Sequence, residues 1–151
     1  MTRMLQIALS AAFLVAPQLA SADEISPLVG TWTGWAQHAG GDASLDNFVV
    51  LRIDDGKGAV STADYIYPDY HITCLSELDF ASMLSKTEWS LDDTTLMSPS
   101  CVDGEVRLLG DPSTDQMDFE WLYTYGVLDA AGVLSRISDD PRAPAHVPDF
   151  R

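Results

Sequence analysis

Two cysteines, three histidines and 23 acidic residues are the groups in this 151-residue sequence through which catalysis or metal binding would have to run. Cys74 and Cys101 are the only sulfur pair, and His71 is the one imidazole near Cys74. Two thiolates and one imidazole fall short of a tetrahedral zinc set, and a catalytic thiolate would need an activating partner. His38, His71 and His146 fall in expected loops or in the tail. The neighbouring carboxylates Asp92-Asp93 and Asp139-Asp140 alternate across an extended backbone, so they read as turn residues and not as an acid–base pair. Asp54-Asp55-Gly56 lacks the ligand spacing of a calcium loop. The sequence holds no Gly-x-Ser-x-Gly elbow, no His-Glu-x-x-His, no phosphate-cradling glycine loop and no dinucleotide fingerprint. The expectation is a protein that is not an enzyme and uses no cofactor or metal.

Aromatic side chains are the stronger signal. Met117, Phe119, Trp121, Tyr123 and Tyr125 alternate with Asp118, Glu120, Leu122 and Thr124, which gives an apolar, mostly aromatic face and a largely polar one. With Tyr65 and Tyr67 added, such a face could line an apolar pocket whose hydroxyls orient a guest. The candidate ligand-binding residues are therefore Tyr65, Tyr67, Phe119, Trp121 and Tyr123. The competing reading is that these rings fill a narrow barrel completely.

The elements that position these residues begin after an expected leader. Arg3 supplies charge, residues 4–16 form a short apolar run, and Leu19-Ala20-Ser21-Ala22 ends in a small-x-small pattern. The run is short for a membrane span. Residues 1–22 are thus read as a signal peptide cleaved after Ala22, 23–137 as a single domain, and 138–151 as a flexible tail without apolar pattern. The expected location is periplasmic or secreted, with no stable membrane insertion of the mature chain. In an oxidising compartment an even cysteine pair is most simply one disulfide. The leader carries one of the 8 basic residues and none of the 23 acidic ones, so its removal takes the net charge from −15 to −16. That surface repels phosphate backbones and anionic headgroups, which excludes nucleic acid as a natural partner.

Past the leader the hydrophobic period is two. Strands are expected over 45–54, 59–67, 74–81, 102–109, 117–125 and 127–137, with a weaker one over 84–91, a loop over 92–100, and one possible helical turn over 78–85. Asp54-Asp55-Gly56-Lys57-Gly58 carries hairpin chemistry, and Asp103-Gly104 suggests a bulge. Short strands at regular spacing predict an all-β, antiparallel up-and-down barrel of about eight strands, closed or partly open. In such a meander Cys74 begins the fourth strand and Cys101 follows the fifth, which places both at one rim.

Gly30-Thr31-Trp32 resembles the Gly-x-Trp opening of the calycin barrels, the group containing lipocalins and avidins. Tyr67-Pro68 before Cys74, the run Cys101 to Leu108, Phe119-Glu120-Trp121 and Gly132-Val133-Leu134-Ser135-Arg136 resemble a set of small exported bacterial domains of that group more than true lipocalins. The resemblance implies a barrel in which Trp32 plugs the base and Arg136, from the last strand, lies across the indole, a contact of about 0.5 to 2 kcal/mol. Trp35 then points to the opposite face of its strand.

Two functions follow as expectations. One is an exported binding module holding a small apolar or aromatic molecule at the barrel mouth. The other is a protein-interaction module, such as a periplasmic protease inhibitor acting through its N-terminal segment, here Asp23-Glu24-Ile25-Ser26-Pro27, or through loops. N-terminal sequencing of the full chain exported from a Gram-negative host is expected to start at Asp23. An intact Met1 would refute the leader.

Overall fold

The alternation from Gly30 onward resolves into eight strands because β-branched and aromatic residues fall on every second position while Gly, Asp and Pro gather between the runs. The computed structural model describes residues 22–56, 60–97 and 100–150. A single helical turn, α1 (Ala22–Ile25), and a 3-10 turn (Ser26–Leu28) precede the strands β1 (Gly30–His38), β2 (Asn47–Ile53), β3 (Ser61–Tyr67), β4 (Ile72–Ser85), β5 (Glu88–Met97), β6 (Gly104–Leu109), β7 (Gln116–Tyr123) and β8 (Leu128–Ser138). Each strand pairs antiparallel with the next, and β1 also pairs with β8. The barrel is closed, so the partly open variant of the expected architecture does not apply.

Three local expectations change. Residues 92–97, expected as loop, continue β5, because the inward series Trp89, Leu91, Asp93, Thr95 runs on through the acidic pair. The possible helical turn at 78–85 is instead the far half of β4, where register shifts at Phe80/Ser82 and Met83/Ser85 absorb extra residues. At Asp103-Gly104 there is no bulge: Gly104 pairs in regular register with Asp93 on one side and Tyr123 on the other. The expected turn at 54–58 begins with Gly56 at φ 76°, and residues 57–59 lie outside the described residues. The expected leader, but for Ala22, also lies outside them.

Closure happens at the β1–β8 seam, where Gly132 faces Ala36. A Cβ at Gly132 would collide with the Trp35 carbonyl, and one at Gly34 with the Val133 carbonyl. Bare Cα atoms at both positions let the first and last strands approach closely enough to pair.

One end of the barrel is plugged. Trp32 and Arg136 are direct partners across the seam, so their side chains leave the same face, and the guanidinium carbon sits 4.4 Å from the indole centroid. Trp32 Nε1 donates to the Leu28 carbonyl (2.8 Å), and Trp89 Nε1 donates to the Glu24 carbonyl (2.9 Å). These bonds draw α1 and the 3-10 turn across the opening, where Ile25 and Leu28 are buried against the core. Arg136 also donates to the carbonyls of Pro27 (2.7 Å) and Pro112 (3.0 Å), which ties the N-terminal segment to the β6–β7 turn.

The chain after β8 crosses the outside of the sheet. Thr31 Oγ1 donates to the Asp140 carbonyl (2.8 Å), and Phe150 lies edge-on to Trp35 with ring centroids 5.5 Å apart. Phe48, the cross-strand partner of Trp35, completes this outer aromatic group.

At the other end, Cys74 on β4 is bonded to Cys101 after β5, with Cα atoms 5.8 Å apart. Replacing both by serine is expected to lower stability by about 3 to 4 kcal/mol in urea unfolding, with the circular dichroism of the folded state retained. A loss below about 1 kcal/mol would show that the clip constrains neither state.

Candidate functional site

The strand ends opposite the plug form a mouth. Odd-numbered strands finish there and even-numbered strands start there, so His38, Tyr67, Thr95 and Tyr123 meet Asn47, Ile72 and Asp129 around one rim. Inside it is a cavity of about 470 Å³, within the range of small-molecule sites. All five candidate residues, Tyr65, Tyr67, Phe119, Trp121 and Tyr123, line it, together with the disulfide. The rest of the aromatic row lies elsewhere. Met117 is sealed among the base residues, and Tyr125, past the end of β7, is 71% exposed with its ring stacked on Tyr123 (centroids 5.2 Å apart).

The cavity exists because small side chains stand beside large ones. Ala130 and Ser76 contribute little volume to the upper layers, whereas Trp32, Trp89, Leu28 and Met117 crowd the base. The mouth is also where the chain places polar atoms. His38 lies 3.6 Å from Asp129, and the backbone N–H of His38 donates to Asp46 Oδ1 (2.9 Å).

Behind the cavity wall sits a carboxylate that the sequence reading assigned to a turn. Asp93 is 2% exposed, and its Oδ2 accepts from the Tyr65 hydroxyl and from Trp121 Nε1 (2.9 Å). Gly104, its direct partner on β6, makes the second bond possible: the Trp121 ring occupies the space a Cβ would fill, so the indole crosses β6 to reach Asp93. Burial pushes the Asp93 carboxyl above the ordinary carboxylate value, while hydrogen bonds from Tyr65, Ser76 and Trp121 pull the other way. The phenols respond to the same field. Burial, then the Asp93 charge, holds Tyr65 well above its usual value. Tyr67 is pushed up to about 12 by burial and by the negative charge of Asp129. Tyr123 is pushed up to about 12 by its hydrogen bond to Asp129 and then by burial.

Several polar atoms have no protein partner. Asn47 Oδ1, Thr95 Oγ1 and His38 Nδ1 belong to cavity-lining residues and are buried without a hydrogen bond, as is Asp93 Oδ1. The sequence reading missed Asn47, Asp93, Thr95, Asp129 and His38. A signal for Asp93 and Thr95 was present in the phase of Trp89 and Leu91, which precede both by an even number of residues; Asn47 likewise shares phase with Val49 and Leu51.

The geometry suits reversible capture of a small molecule: aromatic walls, a closed floor and a few polar atoms held in place by the sheet. Among the described residues no group of three or more His, Cys, Asp and Glu is arranged to hold a metal ion, and no helix is long and apolar enough to cross a membrane. His71 is exposed in the β3–β4 turn with φ 52°, and His146 is exposed in the tail. No family model matches the chain, and no curated protein matches it.

The perturbed carboxyl makes stability depend on pH. The folded state holds Asp93 above its ordinary value of 3.8, so the stabilisation tied to its protonated form is full below that value and is lost as pH rises through the raised one. Relative to Asp93→Asn, the wild type is expected to lose stability in urea unfolding as pH rises above the ordinary carboxylate value. A difference that stays flat on that side would show that burial does not raise the Asp93 carboxyl.

Proposed function

We propose that the protein is an exported, non-enzymatic binding barrel of the calycin type that holds a small aromatic molecule at its mouth. The cavity of about 470 Å³, walled by Tyr65, Tyr67, Phe119, Trp121 and Tyr123, carries this reading. The stiff floor supports it, since a site fixed by strands on all sides loses little conformational entropy when a guest binds. So does the disulfide at the rim, which suits an oxidising compartment and holds the β5–β6 connection beside the opening. The Gly-x-Trp start, with Trp32 under Arg136 at the plugged end, has the arrangement that the likeness to calycins implies.

The inhibitor reading, where it acts through the N-terminal segment and not through loops, requires that segment to be free. Residues 23–27 are instead engaged at the base through the carbonyls of Glu24 and Pro27 and the buried Ile25, which weighs against it.

Titration with the neutral dye N-phenyl-1-naphthylamine is expected to give saturable fluorescence enhancement at one site. Ala130→Phe, which fills the cavity, is expected to weaken binding at least about tenfold, and Tyr123→Ala, which strips part of the wall, by about the same factor. Absence of saturable dye binding, with no guest retained in native mass spectrometry of freshly isolated protein, would overturn the proposal.

A further inference from the structure

Three of the cavity's donors are already committed. Tyr65 gives its phenolic proton to Asp93, Trp121 gives its indole N–H to the same carboxylate, and Tyr123 gives its proton to Asp129. A phenol that has donated retains only acceptor lone pairs on its oxygen, and an indole N–H has nothing further to offer. Asn47, 2% exposed and part of the cavity wall, leaves its Oδ1 acceptor unpartnered, and Asp93 leaves Oδ1 unpartnered behind Tyr65 and Trp121. His38 Nδ1 is likewise unpartnered, with Nε2 lying 3.6 Å from Asp129. The Thr95 hydroxyl can both donate and accept a hydrogen bond.

Formal charge points the same way. Asp93 stands behind the wall and Asp129 lies in it, while among the described residues the lining includes no Lys or Arg, and His38, the lining residue among them able to carry positive charge, already faces Asp129. Tyr65, Tyr67, Trp121 and Tyr123 line the cavity, and the face of an aromatic ring carries the negative side of its quadrupole. A carboxylate or phosphate guest would bring negative charge close to Asp93 and Asp129, at the full cost of desolvation.

We propose that the guest is a planar organic cation bearing N–H groups, a protonated aromatic amine or an amidine, whose ring lies among the tyrosines and Trp121 and whose N–H groups meet Asn47 Oδ1 and the phenolic oxygens. The assignment rests on the binding-barrel reading above and adds to it the sign of the guest's charge and the direction of its hydrogen bonds. Asp93 acts through space and through Tyr65 and Trp121, fixing the direction in which both donate.

Three dyes separate this from a merely aromatic pocket: protonated proflavine as a planar cation bearing N–H groups, N-phenyl-1-naphthylamine as a neutral molecule and 1-anilinonaphthalene-8-sulfonate as an anion. Titrations in about 0.5 M salt screen the acidic outer surface and leave buried contacts nearly unaffected. The expected order of affinity is cation, neutral, anion, with the cation at least about tenfold above the anion. Asp93→Asn and Asn47→Leu are each expected to weaken proflavine about tenfold more than they weaken the neutral dye. If the neutral dye binds and the cation has no advantage over the anion, or neither substitution separates cation from neutral dye, the cation assignment fails and the aromatic cavity stands. If none of the three binds, both proposals fail together.

Discussion

A sheet of eight strands escapes exposed edges only if its first and last strands pair, and here that pairing depends on two bare Cα positions. Gly34 and Gly132 allow the β1 and β8 backbones to approach where any side chain would strike a carbonyl of the opposite strand. Once the seam is closed, alternation converts sequence phase into inside and outside all the way round. The plug, the cavity and the buried carboxylate inherit their positions from that closure. Register follows from it too: Trp32 stands across from Arg136 only because the seam is set as it is.

The two ends of the barrel then differ through side-chain volume alone. At the base, Trp32, Trp89, Leu28 and Met117 fill the lumen, and two indole N–H groups recruit backbone carbonyls from the segment before β1. A buried indole needs an acceptor, and the N-terminal segment supplies one to each. Toward the mouth, Ala130 and Ser76 replace large residues and the lumen stays open. The result is a rigid cup with a sealed floor.

Asp93 is the least expected feature of that cup. Burying a carboxylate in an aromatic core costs free energy unless hydrogen bonds compensate, and only one of its oxygens is fully served. Its presence orders Tyr65 and Trp121, which without an acceptor between them would have no shared orientation. The chain thereby commits the Tyr65 and Trp121 donors internally, away from a guest.

Much of this was legible before any coordinates. Period-two patterning, the turn residues and the Cys74/Cys101 spacing determined an antiparallel meander with both sulfurs at one rim, because strand alternation and turn chemistry are local properties. The aromatic row on β7 was legible for the same reason, though not its extent: Met117 went to the base and Tyr125 to solvent, since depth along a strand depends on stagger between strands. Asp93 was misread because an Asp-Asp pair has the composition of a turn, and only pairing with Gly104 and the reach of Trp121 across it keep that stretch extended. The sequence by itself thus determined which face most strand residues take. Tertiary structure alone decided that the barrel closes, that one end is solid and the other hollow, and which polar atoms are left without partners, because each depends on volumes and distances between strands far apart in the chain.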